Sequence, residues 1–242
     1  MKSYNEQLTA LRASGNLRHL PEVEHQGIWI LKEGKRMLNL SSNDYLGLAS
    51  RQDLQEEFQA STQDRFYPYS SSSSRLLTGN FSVYTKLEKQ IARSFDREAA
   101  LIFNSGYHAN TGILPALTDK QTLLLADKLV HASIIDGILL SGSPFLRYRH
   151  NDYDQLERLV QKNASQYETI IILTESIFSM DGDVADLNHL IAIKRQYPHI
   201  LLYVDEAHAI GARGKTGLGI AEEQGCIQEI DLLVGTFGKA LA

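Results

Sequence analysis

The chain has 242 residues, 43% of them apolar and 22% charged, proportions that support a packed core over a disordered chain. A formal net charge of −5 with no basic stripe argues against nucleic acid or an anionic membrane as partner. Cys226 is the only cysteine, so neither an internal disulfide nor a cysteine metal cluster can form.

Met1 to Gln7 is polar and lacks the apolar core of a signal peptide. The longest apolar runs, such as 169–174, are strand-sized and too short to cross a membrane, which makes the cytoplasm the expected compartment. Residues 3–13 predict a short helix with Tyr4, Leu8 and Leu11 on one face, ended by Gly15 and Pro21. A hairpin follows: Ile28 and Ile30 alternate with their neighbours, Lys32-Glu33-Gly34-Lys35 turns, and Met37 to Leu40 returns. Ser41 to Gly47 reads as a loop, and residues 50–65 as a helix. Tyr69 then leads into five serines, Ser70 to Ser74, and Arg75. Residues 81–95 predict an amphipathic helix with Val83, Leu87, Ile91 and Phe95 four apart.

Beyond that point strands and helices alternate. The expected strands are 99–103, 122–126, 145–148, 169–174, 200–204 and 232–235. Helices are expected after Asp152, which has Gln155 three residues on, and after Asp186, where Leu187, Leu190, Ile191 and Lys194 keep helical spacing. Strands that are apolar throughout, alternating with helices, indicate an α/β fold with a mostly parallel sheet flanked by helices.

Polar residues gather just after the apolar runs, the end of an open α/β sheet where ligands bind. At Asn104-Ser105-Gly106-Tyr107-His108 a strand gives way to a helix start, whose free N–H groups favour a phosphate; alone, such a segment is more often an ordinary strand–helix turn. Neither a Gly-x-Gly-x-x-Gly nor a P-loop fingerprint is present. His131, four residues after Asp127, offers a flat imidazole to a flat ring, or is simply a polar residue near a helix start. In Asp205-Glu206-Ala207-His208 a carboxylate at a buried strand end calls for a cation, either a protonated pyridine nitrogen or a metal ion. The same four letters match a helicase-type ATPase box, but the P-loop and basic surface that such a protein needs are missing. Asp181-Gly182 marks a turn, and the oxygens around it are too irregular for a calcium loop. In Gly235-Thr236-Phe237-Gly238-Lys239 a lysine among small residues at a strand end has its pKa lowered by desolvation, which suits it to Schiff-base chemistry; by itself a Gly-Lys pair is more often a surface turn.

Taken together these pieces resemble the α-oxoamine synthase family of fold-type-I pyridoxal 5'-phosphate (PLP) enzymes. The matching segments are Ser42 to Leu48, Asn104 to Asn110, Asp127 to Ser133, Phe178 to Asp183, Asp205 to His208 and Gly235 to Lys239. The resemblance implies that Gly106 and Tyr107 hold the phosphate from their backbone and that Thr236 supports it. It implies that His131 stacks on the ring, Asp205 pairs with the ring nitrogen, and Ser179 and His208 sit by the ring hydroxyl and substrate. Lys239 is then the Schiff-base lysine, and the catalytic set is Lys239, His131, Asp205 and His208. Asn43, reaching from a partner subunit, and Ser74 and Arg75 are the implied substrate contacts. The serines at 70–74 replace a loop that is often glycine-rich in the family, and with it glycine's backbone freedom.

Within the family the chain is most similar, especially over Ser41 to Ala49, to the branch that condenses L-alanine with a pimeloyl thioester, and that resemblance implies pimeloyl-CoA or a pimeloyl carrier protein as acyl donor and a homodimer. A glycine-using branch with a short acyl-CoA and a non-catalytic PLP-fold fragment are the alternatives. The implied organisation is an N-terminal helix and hairpin segment, residues 1–45, followed by a PLP-binding large domain, residues 46–242. The family continues past the lysine into a further strand and a small domain with a substrate-binding arginine, so the chain reads as truncated at its C-terminus with that domain missing. Activity of the chain in isolation does not follow.

Overall fold

The computed structural model describes residues 3–62 and 70–242. The expected tail of the second helix, 63–65, and Tyr69 lie outside the described residues. The chain divides into two compact units, Met1–Ser42 and Asn43–Ala242.

In the first unit, helix α1 (Tyr4–Ala13) starts from a reciprocal cap: Ser3 Oγ accepts from Glu6 N–H, and the Glu6 carboxylate accepts from Ser3 N–H. None of the helix is buried, so the cap and its own backbone hold it together. The expected hairpin pairs β2 (Trp29–Lys32) with β3 (Lys35–Leu38), and β1 (Glu24–Gln26), absent from the sequence expectation, adds a third antiparallel strand beside β2.

The second unit opens with helices α2 (Gln52–Thr62) and α3 (Ser82–Ser94). It continues through α4 (Gly106–Leu117), β4 (Thr122–Asp127), α5 (Ala132–Ser141), β5 (Phe145–Tyr148), α6 (Tyr153–Asn163), β6 (Thr169–Glu175), α7 (Leu187–Lys194), β7 (Ile200–Asp205), α8 (Ile220–Glu223) and β8 (Leu232–Val234). The strands form one parallel sheet in the order β5-β4-β6-β7-β8. Its centre is apolar on both faces: Leu123, Leu124, Leu125, Ile170, Ile171, Ile172, Leu202 and Val204 are all buried. After β5 the chain crosses β4 and continues with β6 on its other side. The strand order thus reverses there and opens a crevice at the carboxyl ends of β4 and β6.

One expected strand does not form. Residues 99–103 have no strand partner among the described residues; Ile102 N–H donates to Glu88 Oε1, and its carbonyl accepts from the Arg75 guanidinium. At Ile102, side chains satisfy the backbone where a neighbouring strand was expected.

Helices α4 and α5 meet at Gly137, where an added Cβ would lie 2.5 Å from the Asn110 carbonyl oxygen and 3.0 Å from Leu114 Cδ1. Gly137→Ala therefore forces the two helices apart, and a loss of about 1–3 kcal/mol in urea-denaturation stability is expected. Because the backbone that is struck carries Asn110, the same substitution disturbs the site described next.

Candidate active site

Asp127, Glu175 and Asp205 end β4, β6 and β7, so the parallel sheet delivers three buried carboxylates to one rim. Glu175 and Asp205 are direct neighbours in register across β6 and β7. Burial, then the Asp205 charge beside it, pushes the Glu175 carboxyl up to about 7; its Oε1 accepts from His131 N–H at 2.5 Å.

Asp205 is fixed through both oxygens: Oδ2 accepts from Asn110 Nδ2 at 2.9 Å and Oδ1 from Ala207 N–H at 2.9 Å. No ion pair is formed by Asp205 among the described residues. Asn110, buried on α4, is the hub of this network. Its Oδ1 accepts from Tyr203 O–H at 2.5 Å, and Nδ2 also donates to Ser133 Oγ at 2.9 Å. Ser133 Oγ lies 2.8 Å from His131 Nδ1, and Ser133 N–H donates to the same nitrogen at 3.2 Å. His131 is thereby the N-cap of α5. An Nδ1 that accepts from a backbone N–H carries no proton, so the proton of the neutral ring is on Nε2. Sequence reasoning placed His131 and Asp205 but not the Asn110–Ser133 bridge between them.

Lys239 Nζ stands 2.8 Å from His208 Nε2. Burial lowers the lysine pKa, while Asp205 and Glu175 pull it back up. His208 is also lowered, by burial first and then by Lys239 and His131, with Asp205 opposing. Asp205, expected in one pocket with Lys239, acts electrostatically on its amine. Gly106, the first residue of α4, faces Thr236: a Cβ on the glycine would be 4.0 Å from Thr236 Cβ. Ser105 caps α4 through His108 N–H, and the first-turn N–H groups, those of Gly106 and Tyr107 among them, lack intrahelical partners. The Tyr107 hydroxyl donates to Asp136 Oδ2 at 2.7 Å.

Ser179, Ser74 and Arg75 stand apart from this cluster. Ser179 is exposed on the turn between β6 and α7, with no hydrogen bond to the cluster among the described residues. His150 holds that turn to the sheet: Nδ1 is 3.0 Å from Asp127 Oδ1 and Nε2 is 3.0 Å from Asp183 Oδ2. Burial pulls the His150 pKa down, but the bonds to the two carboxylates outweigh it and the net shift is upward. Arg75 spends its guanidinium inside the chain, on Asn80 Oδ1, Glu88 and the Ile102 carbonyl, and lies 4.6 Å over the Tyr84 ring. Ser74 Oγ accepts from Leu76 N–H in the same turn. Those contacts serve the fold and give the expected substrate role of Ser74 and Arg75 no support. Asn43 Oδ1 accepts from Tyr45 O–H at 3.3 Å, and Tyr45 O lies 2.7 Å from His208 Nδ1, so Asn43 is linked to the site of its own chain.

Glu206, between Asp205 and His208, faces away from the cluster. Oε2 accepts from Ser176 O–H at 2.5 Å and Ile220 N–H at 3.1 Å, and Oε1 from Ala221 N–H at 2.7 Å. Gly219 (φ +97°) makes room for it, since a Cβ there would lie 2.6 Å from Glu206 Oε2. Among the described residues there is no His/Cys/Asp/Glu group that could hold a metal ion. No helix among them is long and apolar enough to cross a membrane.

The family model for aminotransferase class I and II matches residues 35–242, and the chain belongs to that family. A relative from Pasteurella multocida, which carries the provisional name 8-amino-7-oxononanoate synthase, is 58% identical over 241 residues, covering 100% of this chain and 62% of its own. Among solved structures, a serine palmitoyltransferase from S. paucimobilis with bound PLP and myriocin superposes with a TM-score of 0.85 at 27% identity, covering 98% of this chain and 59% of that one. An 8-amino-7-oxononanoate synthase from Francisella tularensis gives 0.67 at 31% identity, over 83% and 54%. The fold is that of the fold-type-I PLP transferase large domain, and the resemblance to α-oxoamine synthases seen in the motifs holds for the chain as a whole. The chain spans 62–64% of the length of the curated relatives it matches.

Proposed function

We propose that this chain is the cofactor-binding part of a PLP-dependent acyltransferase that condenses L-alanine with a pimeloyl thioester, releasing carbon dioxide and the thiol to give 8-amino-7-oxononanoate for biotin biosynthesis. The observation that carries this reading is the Lys239 amine, partly desolvated and 2.8 Å from His208, in the electrostatic neighbourhood of the buried Asp205 carboxylate. The residues fit the cofactor. Asp205 is a buried anion with no ion-pair partner among the described residues, as a pyridinium requires, and Gly106 faces Thr236 at a helix start open to a phosphate.

Gly106 and Tyr107 N–H with Thr236 would hold the phosphate, His131 would cover one ring face, and Asp205 would meet the ring nitrogen. His208 would lie by the ring hydroxyl and substrate, and Asn43 by the substrate carboxylate; Ser179, apart from the cluster, would have the same place as His208 by the family resemblance alone. When bound, PLP supplies an aldehyde that captures amines and a protonated ring that draws electron density from the amino acid's Cα. Lys239 Nζ is the base for the Cα proton, and its lowered pKa leaves more of it neutral for that task. Two hydrogen bonds hold the Asp205 carboxyl group in place against the ring, a preorganised electrostatic support. The relatives' names support the L-alanine and pimeloyl assignment over the glycine-using branch. As in the family, the working unit would be a homodimer.

Borohydride treatment of the holoprotein followed by peptide mapping should place the PLP adduct on Lys239 and nowhere in Lys239→Ala. Turnover of L-alanine with pimeloyl-CoA or a pimeloyl carrier protein should exceed that of glycine. An adduct on another lysine ends the cofactor reading; faster glycine turnover moves the chain to the other branch.

A further inference from the structure

A continuous hydrogen-bonded line runs from Lys239 Nζ to His208 Nε2 (2.8 Å), from His208 Nδ1 to Tyr45 O (2.7 Å), and from Tyr45 O–H to Asn43 Oδ1 (3.3 Å). The sequence motifs drew attention to the two ends, Asn43 and Lys239, but gave Tyr45 no role. The groups that act on Lys239 are His208, Asp205 and Glu175; those that act on His208 are Lys239, Asp205, His131 and Tyr45.

A neutral imidazole has one N–H and a phenol has one O–H, so the line admits two ordered patterns. With Tyr45 O–H given to Asn43, the phenol oxygen accepts Nδ1–H from His208; Nε2 is then bare and accepts from Lys239, which favours the ammonium. With Tyr45 O–H given to His208 Nδ1, the ring proton is on Nε2 and points at Lys239, which favours the neutral amine. Burial holds His208 below its ordinary pKa, so the neutral ring assumed in both patterns is the prevailing one. We propose that Tyr45 is a positioning residue for the lysine, selecting with Asn43 which nitrogen of His208 carries the proton and thereby whether Lys239 is held charged or neutral. This rests on Lys239 being the reactive amine. It ties that amine to the residue expected near the substrate carboxylate: a carboxylate that accepts from Asn43 Nδ2 and rotates the amide carries Oδ1 away from Tyr45, whose hydroxyl then turns to His208.

The test uses the cofactor-free protein, where Lys239 is a free amine. Nitrogen-15 NMR of histidine-labelled protein reads the His208 tautomer, and competitive acetylation with mass-spectrometric readout across pH titrates Lys239. Tyr45→Phe removes the acceptor for Nδ1–H, and an orphaned N–H is tolerated less well than an orphaned acceptor. His208 is then expected to change from Nδ1–H to Nε2–H. The Lys239 pKa should fall by about one, a tenfold larger share of neutral amine, the size of one hydrogen bond to a charged group. Asn43→Ala leaves the phenol to donate to Nδ1 and should move both readouts the same way, which keeps the test decisive should Tyr45→Phe fail to fold. An unchanged His208 tautomer and an unchanged Lys239 titration in the folded variants overturn the proposal. Because no cofactor is present, failure here is separate from failure of borohydride trapping at Lys239.

Discussion

Asp205→Asn is expected to lower kcat for L-alanine and pimeloyl thioester by about 10³-fold while PLP still attaches at Lys239. The substitution keeps shape and removes charge, so the ring nitrogen loses the anion that holds its proton. A second effect comes from the way the carboxylate is held. Both oxygens already accept, one from Asn110 Nδ2 and one from Ala207 N–H. An asparagine has only one accepting oxygen, so its NH₂ group must face a donor and one buried bond is lost, at about 1–3 kcal/mol. Steady-state kinetics and urea denaturation separate the two effects. A variant that loses stability but keeps its kcat would show that Asp205 serves only the fold.

Glu175 is expected to make the cofactor-free protein less stable as the pH rises. Its folded-state pKa is about 7 against an ordinary 4.5, so the folded state binds more protons than the unfolded one between those values. The stabilising contribution is complete below the unfolded value and is lost as the pH climbs through the folded one. Across that window the change is about 3 kcal/mol. Glu175→Gln keeps an oxygen for His131 N–H and removes the charge beside Asp205. It should match the parent near the acid end of the window and exceed its stability above about pH 8. Urea melts at a series of pH values give the answer; curves that run parallel would mean that Glu175 does not titrate in this range.

What was legible in the sequence depended on whether neighbours in the chain decide it. The buried strands announced themselves because they are apolar on both faces, as in Leu123 to Leu125 and Ile170 to Ile172. In a parallel sheet the residue after each run arrives at the same rim, so Asp205, His208 and Lys239 could be grouped before their distances were known. Residues 99–103 misled, because their alternative partners, Glu88 and Arg75, belong to other segments. The raised pKa of Glu175 comes first from burial and then from its register with Asp205, and register between distant strands leaves no local mark. Asn110 and Tyr45 escaped for the same reason. One is a polar residue inside a helix and the other a tyrosine in a loop, and their partners are remote in the chain.

The tetrapeptide 205–208 divides its labour by direction. Asp205 and His208 point one way, while Glu206 turns back and fastens the residue after Asp205's neighbour strand to the start of α8. Its carboxylate works as a rivet: three donors from two distant segments converge on it, in a space that only a glycine at 219 leaves open. An inactive Glu206 mutant would therefore be reporting a loosened floor beneath the reacting groups, and the similarity of these four letters to a nucleotide-hydrolysing box ends at the spelling.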